Sequence, residues 1–421
     1  MMLGQRPYLS KIVYAHKYIW LILAYVLCSV SVQAQNFDDK APALTPNGID
    51  KLHVASTHPF GIFSSRISQN FQQAPVQDIT VRLQQQSGNV FQPRLKAFLP
   101  ENQNIRDAFS DTPWFLRVFD FVNQEETPAQ IFDFELDAIL KVYRLDVRIP
   151  IAKRHELHVG TRFFTAVRGS NPWSFFSSDE TIEWFHSNIA GGEDAFGRRF
   201  YGLNKVRFTY TDAQGRSLQL KRGEFFLGGI EVSHFYYPEI PWATKNNISI
   251  NTGVTAGWNT TRFNNSLDIG LQLNVLKSWY FKNKQSLSAG LGISTLRRNL
   301  IDFKENVSLG NNNYLGAAEV AVAWTLPTKQ GNYNSLAILY QHQTSYRKKE
   351  EQDYFHLKGN WQDINAGWHH AFTTLVEDLS SWSLMYTHGR KKIQYHVYFK
   401  EDLSVNNAPD VESGIGVTFK L

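Results

Sequence analysis

The sequence predicts an all-β fold: an antiparallel transmembrane β-barrel of about 12 or 14 strands with one short helical insertion. Three observations carry this reading. Apolar and polar residues alternate along segment after segment, ending with residues 410–421, where Ile415, Val417, Phe419 and Leu421 stand against Gly414, Gly416, Thr418 and Lys420. That is the period of a strand with one oily face. Aromatics make up 14% of the chain, yet mean hydropathy is negative and no apolar run past the N-terminus is long enough for a spanning helix. Barrel strands give this combination, because half of each strand faces a polar lumen and aromatics gather at the two interfaces. The N-terminus, finally, carries an export signal.

Arg6, Lys11 and Lys17 form a basic leader, residues 18–32 are apolar, and Val32-Gln33-Ala34 supplies a cleavage site. Residues 1–34 are thus expected to be removed after Ala34, directing the chain to the outer membrane of a Gram-negative bacterium. The sole cysteine, Cys28, goes with them, so the mature chain has no disulfide framework. Three of the 43 Lys and Arg residues also go, leaving 40 bases against 38 acids. Near-neutrality and export argue against nucleic acid. The expected partners are membrane lipids, lipopolysaccharide and the barrel-assembly machinery, which would meet the C-terminal strand. That strand ends on Leu421 with Phe419 two before it, where a terminal aromatic is the usual insertion signal.

Residues 35–77 lack sustained alternation and contain Pro42, Pro46 and Pro59, so they read as a periplasmic segment or a plug folded into the barrel. The barrel spans 78–421. Residues 78–86 form the first strand, a turn at Ser87-Gly88-Asn89 leads to a second over 91–98, and residues 114–122 are a hydrophobic island. In the next strand Phe132, Phe134, Leu136, Ala138, Leu140 and Val142 share one face. After Val142 the parity flips to Tyr143, Leu145, Val147 and Ile149, which predicts a β-bulge. A returning strand follows Pro150. Ser177 and Glu180 read as a capping box for a helix running to about Ile189, with Ile182, Phe185 and Ile189 on one face and Asp179, Glu183 and His186 on the other. Further strands are expected around 206–210, 218–220, 225–237 (bulged at Gly228-Gly229), 248–258, 267–275, 287–293, 320–326, 336–340, 364–372, 382–388 and 393–399.

From Tyr143-Arg144-Leu145-Asp146 through this helix, the chain resembles a bacterial family of uncharacterised outer-membrane proteins, a domain of unknown function. The resemblance rests on Asp179-x-x-Ile182-x-x-Phe185-His186 and Phe196-Gly197-x-Arg199, between two long amphipathic strands. It covers residues 130–210 and, as a general barrel pattern, extends to Leu421. It implies a barrel with this helix as a hallmark, with Asp179, Glu183, His186 and Arg199 as its motif, and implies no reaction.

Asp133, Glu135, Asp137, Arg144, Asp146, Arg148, His158, Arg162 and Arg168 come from one hairpin and are expected to face the lumen together. They would form either a charged constriction that selects solutes by sign or a salt-bridge network filling a closed barrel. Their mixed signs favour the network. Glu183-x-x-His186 has the spacing by which one helix offers two ligands to a metal, but no further ligand can be assigned. His186-Ser187 compares with outer-membrane phospholipases, whose His and Ser lie two apart on a strand; here they are adjacent on a helix. A non-enzymatic structural barrel or narrow channel is therefore expected, without cofactor, metal or catalytic residues. A lipid-active hydrolase or metal-dependent enzyme centred on His186 is the alternative. Trp242, Trp258, Trp279, Trp361, Trp368 and Trp382 are expected in the interfacial belts.

Overall fold

The computed structural model describes residues 46–98, 131–169, 176–185, 205–347 and 377–402, but for 213, 283, 329–331 and 391, then 411–421 and the short pieces 104, 113–114, 117–120, 174, 187–188 and 356–358. The export signal, the strand expected over 364–372, and Trp361, Trp368, His186, Phe196, Gly197 and Arg199 lie outside these residues.

Alternation becomes strand wherever it was read within this range. The strands are β1 (Thr80–Phe98), β2 (Pro113–Trp114), β3 (Arg117–Asp120), β4 (Ile131–Ala152), β5 (His155–Val167), β6 (Arg207–Thr211), β7 (Ser217–Leu220), β8 (Phe225–Tyr236) and β9 (Ile248–Thr260). After them come β10 (Asn265–Tyr280), β11 (Ser286–Asp302), β12 (Tyr314–Pro327), β13 (Asn332–Gln343), β14 (His356–Lys358), β15 (Leu379–Arg390), β16 (Ile393–Glu401) and β17 (Val411–Lys420). Two helices are described, α1 (Asp179–Phe185) and α2 (Pro241–Lys245).

Twelve strands close into an antiparallel barrel in the order β1, β17, β16, β15, β13, β12, β11, β10, β9, β8, β5, β4, and β4 returns to β1. Closure leaves no exposed sheet edge in the ring. β6 and β7 are an annexed hairpin on the far end of β4, pairing Phe134 with Tyr210 and Leu136 with Phe208. β2, β3 and β14 form a separate small sheet. Short turns join β4 to β5, β10 to β11 and β12 to β13 at the end that holds Leu421, which marks that end as periplasmic; the long connections lie at the other.

The outer face is an apolar belt. On β10, Ile269, Leu271 and Leu273 are exposed, while Asp268, Gln272 and Asn274 are buried inside. Leu291, Ile293, Leu336, Ile338, Leu384 and Val397 continue the belt on β11, β13, β15 and β16. Trp258 lies at the extracellular ends of the strands, and Trp242 and Trp324 at the periplasmic ends, all exposed. Trp279 shares the outer-face row of Leu287 and Trp324 at the periplasmic end, and is buried there with Lys277 over its ring.

The β1–β4 seam differs from expectation in two ways. The Ser87-Gly88-Asn89 turn does not form, and β1 runs straight through it against β4, from Thr80 opposite Arg148 to Gln92 opposite Leu136. No shift occurs at Val142 and Tyr143 in the pairing with β1 or with β5, so there is no bulge there. Lumen-facing positions stay even along β4, from Phe134 to Arg148. The change of character reflects a change of surroundings: apolar packing in the extracellular half of the lumen and charge in the periplasmic half. The bulge expected at Gly228-Gly229 is present, as a shift opposite Arg162 and Phe163.

Candidate functional site

Residues 46–77 form no strand of the ring and occupy its interior. Gly48 bridges to Gln72, and the Asn47 side chain bonds both the Ala74 carbonyl (2.6 Å) and its N–H (3.1 Å), so the segment enters and leaves at the same, periplasmic end. Its tip is a short 3-10 turn, Pro59–Phe63. Proline fits the first turn, where its missing N–H has no partner to lose, and His58 Nδ1 accepts the Phe60 N–H at 3.0 Å.

The tip carries aromatic side chains into the extracellular half of the lumen. Phe63 meets Phe164, Phe208 and Phe263 edge-on, and Phe60 leans on Tyr210 at 4.8 Å. His58 stacks on Tyr346 at 4.4 Å. Phe134, Leu136, Ala138, Leu140 and Val142 of β4 complete this core. Ile49, Leu52, Val54 and Phe71 pack a second cluster against Ala321, Ala323, Leu339 and Met385 of the wall.

The remaining wall contacts are polar. The Ser65 N–H donates to Asp268 at 3.1 Å, the Ala55 N–H to Glu412 at 3.1 Å, and Arg66 to Gln341 at 2.6 Å. Arg82 donates to the Lys51 carbonyl at 2.6 Å, and Asn251 to the Asn70 carbonyl at 2.9 Å. Lys51 pairs with Glu319 at 2.6 Å; Lys400 pairs with Glu412 at 2.7 Å and donates to the Ala55 carbonyl at 3.0 Å. Inner-face glycines make room for the segment: a Cβ on Gly257 would lie 2.0 Å from Ser65 Oγ, and one on Gly270 2.3 Å from Ile67 Cδ1.

Between the segment and the β4, β5 and β8 wall lies a polar cavity of about 60 Å³, lined by Lys51, His53, Arg66, Arg82, Arg144, Asp146, Arg148, His158 and Glu231 among others. Arg144 bonds Glu231 (2.6 Å) and Asp146 (3.3 Å), and Arg162 bonds Glu231 at 2.7 Å. Beside it, His158 contacts Glu156, which also accepts the Val76 N–H at 2.6 Å. At the periplasmic rim, burial, with the Glu156 carboxylate adding to it, pushes the Tyr237 phenol well above its usual range, and Asn70 donates to its oxygen at 2.8 Å.

The structure therefore brings Arg144, Asp146, Arg148, His158 and Arg162 together and separates the other four. Asp133, Glu135 and Asp137 share the outer parity of Tyr143 and Leu145, and Glu135 lies 3.7 Å from Arg207 of the annexed hairpin. Arg168 is exposed beyond the end of β5. Outer-face polar residues at this level are covered by the segment holding α1. Ser87 Oγ meets Ser177 Oγ at 2.7 Å, Asn89 donates to Asp179 at 2.9 Å, and Lys141 to Ser87 at 2.9 Å. The cap of α1 is Ser178, whose Oγ accepts the Thr181 N–H at 3.2 Å, rather than Ser177. The buried face of the helix combines Asp179 and Glu183 with Ile182, while Trp184 and Phe185 are exposed, so Ile182 and Phe185 do not share a buried face. Among the described residues, no group of three His, Cys, Asp or Glu side chains is placed to hold a metal.

Alternation alone does not single out Glu231, Glu319, Lys400 and Glu412, although each is a buried residue at a lumen-facing position of its strand. Lys51 and Arg66 had no such signal, because they lie on a segment without a period.

No protein-family model matches the chain, and no curated protein matches it. Similar solved structures are bacterial outer-membrane barrels. An outer-membrane channel from Pseudomonas putida F1 has 10% identity and a TM-score of 0.39, over 85% of this chain and 100% of that one. The NanC porin has 8% identity and a TM-score of 0.33, over 67% and 94%. The β-domain of the Bordetella autotransporter BrkA has 5% identity and a TM-score of 0.36, over 81% and 99%. At these values no property of those proteins passes to this chain, which is itself a closed twelve-stranded antiparallel barrel with an apolar belt.

Proposed function

We propose that this chain is a non-enzymatic outer-membrane barrel, exported and cleaved at Ala34, whose lumen is closed at rest by its own residues 46–77. It conducts only when that segment leaves its seat. The observation that carries this reading is the spread of the segment's contacts around the ring. Arg82 and Gln84 of β1, Glu156 of β5, Asn259 of β9, Asp268 of β10, Ser294 of β11, Glu319 of β12, Gln341 of β13, Gln394 of β16 and Glu412 of β17 all hold it. A chain pinned on so many sides, with a buried aromatic tip, fills a lumen rather than lining one. Lipids and lipopolysaccharide would surround the apolar belt, and β17 would be the strand presented to the assembly machinery.

The test is conductance in planar bilayers of the refolded mature chain and of a variant lacking residues 46–74, each first shown to be a heat-modifiable barrel on gels. Silence from the mature chain and steady conductance from the deletion variant are expected. Steady conductance from the intact chain, or silence from a folded deletion variant, would overturn the reading.

A further inference from the structure

We propose that the lumen cavity is a binding site for a small oxyanion, phosphate or a carboxylate. The site rests on the segment 46–77 being seated, since that segment supplies part of its wall. Five basic side chains line the cavity, Lys51, Arg66, Arg82, Arg144 and Arg148, against two carboxylates, Asp146 and Glu231. Arg144 engages Glu231 and the Oδ1 of Asp146, whose Oδ2 is buried without a hydrogen-bond partner among the described residues, and Arg162 engages Glu231 as well. Lys51 is matched by Glu319, and Arg66 and Arg82 spend donors on neutral carbonyl, amide and hydroxyl oxygens. Such bonds hold the guanidinium groups in place without cancelling their charge.

Arg148 stands apart. It lines the cavity, is half-buried, and has no hydrogen bond or ion pair with any described residue. Two further carboxylates share its field, and both are engaged elsewhere: Asp50 with Tyr333 and Gln394, and Glu156 with His158 and the Val76 N–H. The Nε of Arg144 is also buried without a partner among the described residues. A guanidinium fork with free donors, beside others fixed by the fold, is the arrangement that grips an oxyanion by two parallel bonds. A cavity of about 60 Å³ has the volume of about two waters, which suits an ion the size of phosphate or acetate and excludes a sugar phosphate. Arg148 lies opposite Thr80, at the start of β1, so the site lies toward the periplasmic end.

The test is isothermal titration calorimetry on the full mature chain in non-ionic detergent, with sodium phosphate and sodium acetate as separate titrants over a chloride background. One saturable site for either oxyanion is expected, and the better titrant identifies which. Arg148→Gln should weaken it by roughly tenfold or more, while Arg148→Lys, which keeps the charge, should fall between the two. Lys282→Gln, on an exposed turn, should bind as the parent does. No saturable heat with either titrant, or equal affinity in Arg148→Gln, would overturn the proposal. Heat-modifiable mobility confirms that each variant is folded. Because calorimetry requires no open pore, its outcome is independent of the conductance result that tests the closed lumen.

Discussion

Lys51 of the inserted segment and Glu319 of β12 meet at 2.6 Å, and both side chains are buried. Neither charge can be removed alone without leaving the other stranded in the lumen, a loss of about 3–5 kcal/mol for a buried pair. Glu319→Gln should therefore lower the thermal midpoint of the barrel in detergent and give intermittent conductance where the parent is silent. The double variant Lys51→Met, Glu319→Met removes both charges and should recover most of the lost stability. A single variant as stable and as silent as the parent would show that the pair does not seat the segment.

The tip of the segment is held by shape rather than charge. Phe63 is fully buried, edge-on to three rings donated by β5, β6 and the β9–β10 connection. Phe63→Ala leaves a cavity that these rings cannot easily fill, at a cost of about 3–5 kcal/mol. The expected result is a lower unfolding midpoint in urea, with open events in bilayers that Phe63→Leu largely lacks.

The fit of segment to wall can be tested as a pair. A methyl on Gly257 would meet Ser65, its Oγ at 2.0 Å and its Cβ at 2.6 Å, so Gly257→Ala should overpack the lumen by about 1–3 kcal/mol. Ser65→Gly gives back the space while keeping the backbone bond from residue 65 to Asp268. The double variant is expected to be more stable than Gly257→Ala alone, a coupling read from a double-mutant cycle of urea midpoints. Strict additivity would place Ser65 elsewhere.

How much of this the sequence discloses depends on whether the period of a strand reports its surroundings. On β10 it does: Ile269, Leu271 and Leu273 alternate with Asp268, Gly270 and Gln272 because one face meets the membrane and the other the lumen. On β1 and β4 it does not. Ser87, Asn89 and Lys141 are polar on the outer face because α1 and its flanks lie over them, so their polarity imitates a turn in one strand and a lumen in the other. Arg144 is legible as a lumen charge, but its partner Glu231 lies 87 residues away, on a strand placed beside it only by closure of the ring. Residues 46–77 have no period at all, since their conformation is set by the wall. Their trace in the described strands includes inner-face glycines such as Gly257 and Gly270.

The cover over β1 and β4 should be separable from the barrel beneath it. Asn89 holds it through two bonds, to the Ser177 carbonyl at 3.2 Å and to Asp179 at 2.9 Å, while the β1–β4 ladder supports Asn89 itself by backbone pairing with Ile139. Asn89→Ala removes the side-chain bonds and leaves the ladder intact, weakening the docking of α1 by about 1–3 kcal/mol. Local opening then becomes more frequent without global unfolding, and cleavage that follows the open population rises by the same factor, roughly fivefold or more. Phe176, Trp184 and Phe185 are already exposed and suit chymotrypsin. Limited digestion of barrels reconstituted in vesicles should therefore cut the variant within residues 176–185 several-fold faster than the parent, at an unchanged thermal midpoint. Asn89→Asp, which sets a second carboxylate against Asp179, should go further in the same direction. Equal cleavage rates in all three proteins would mean that α1 is held by its packing and not by this polar patch.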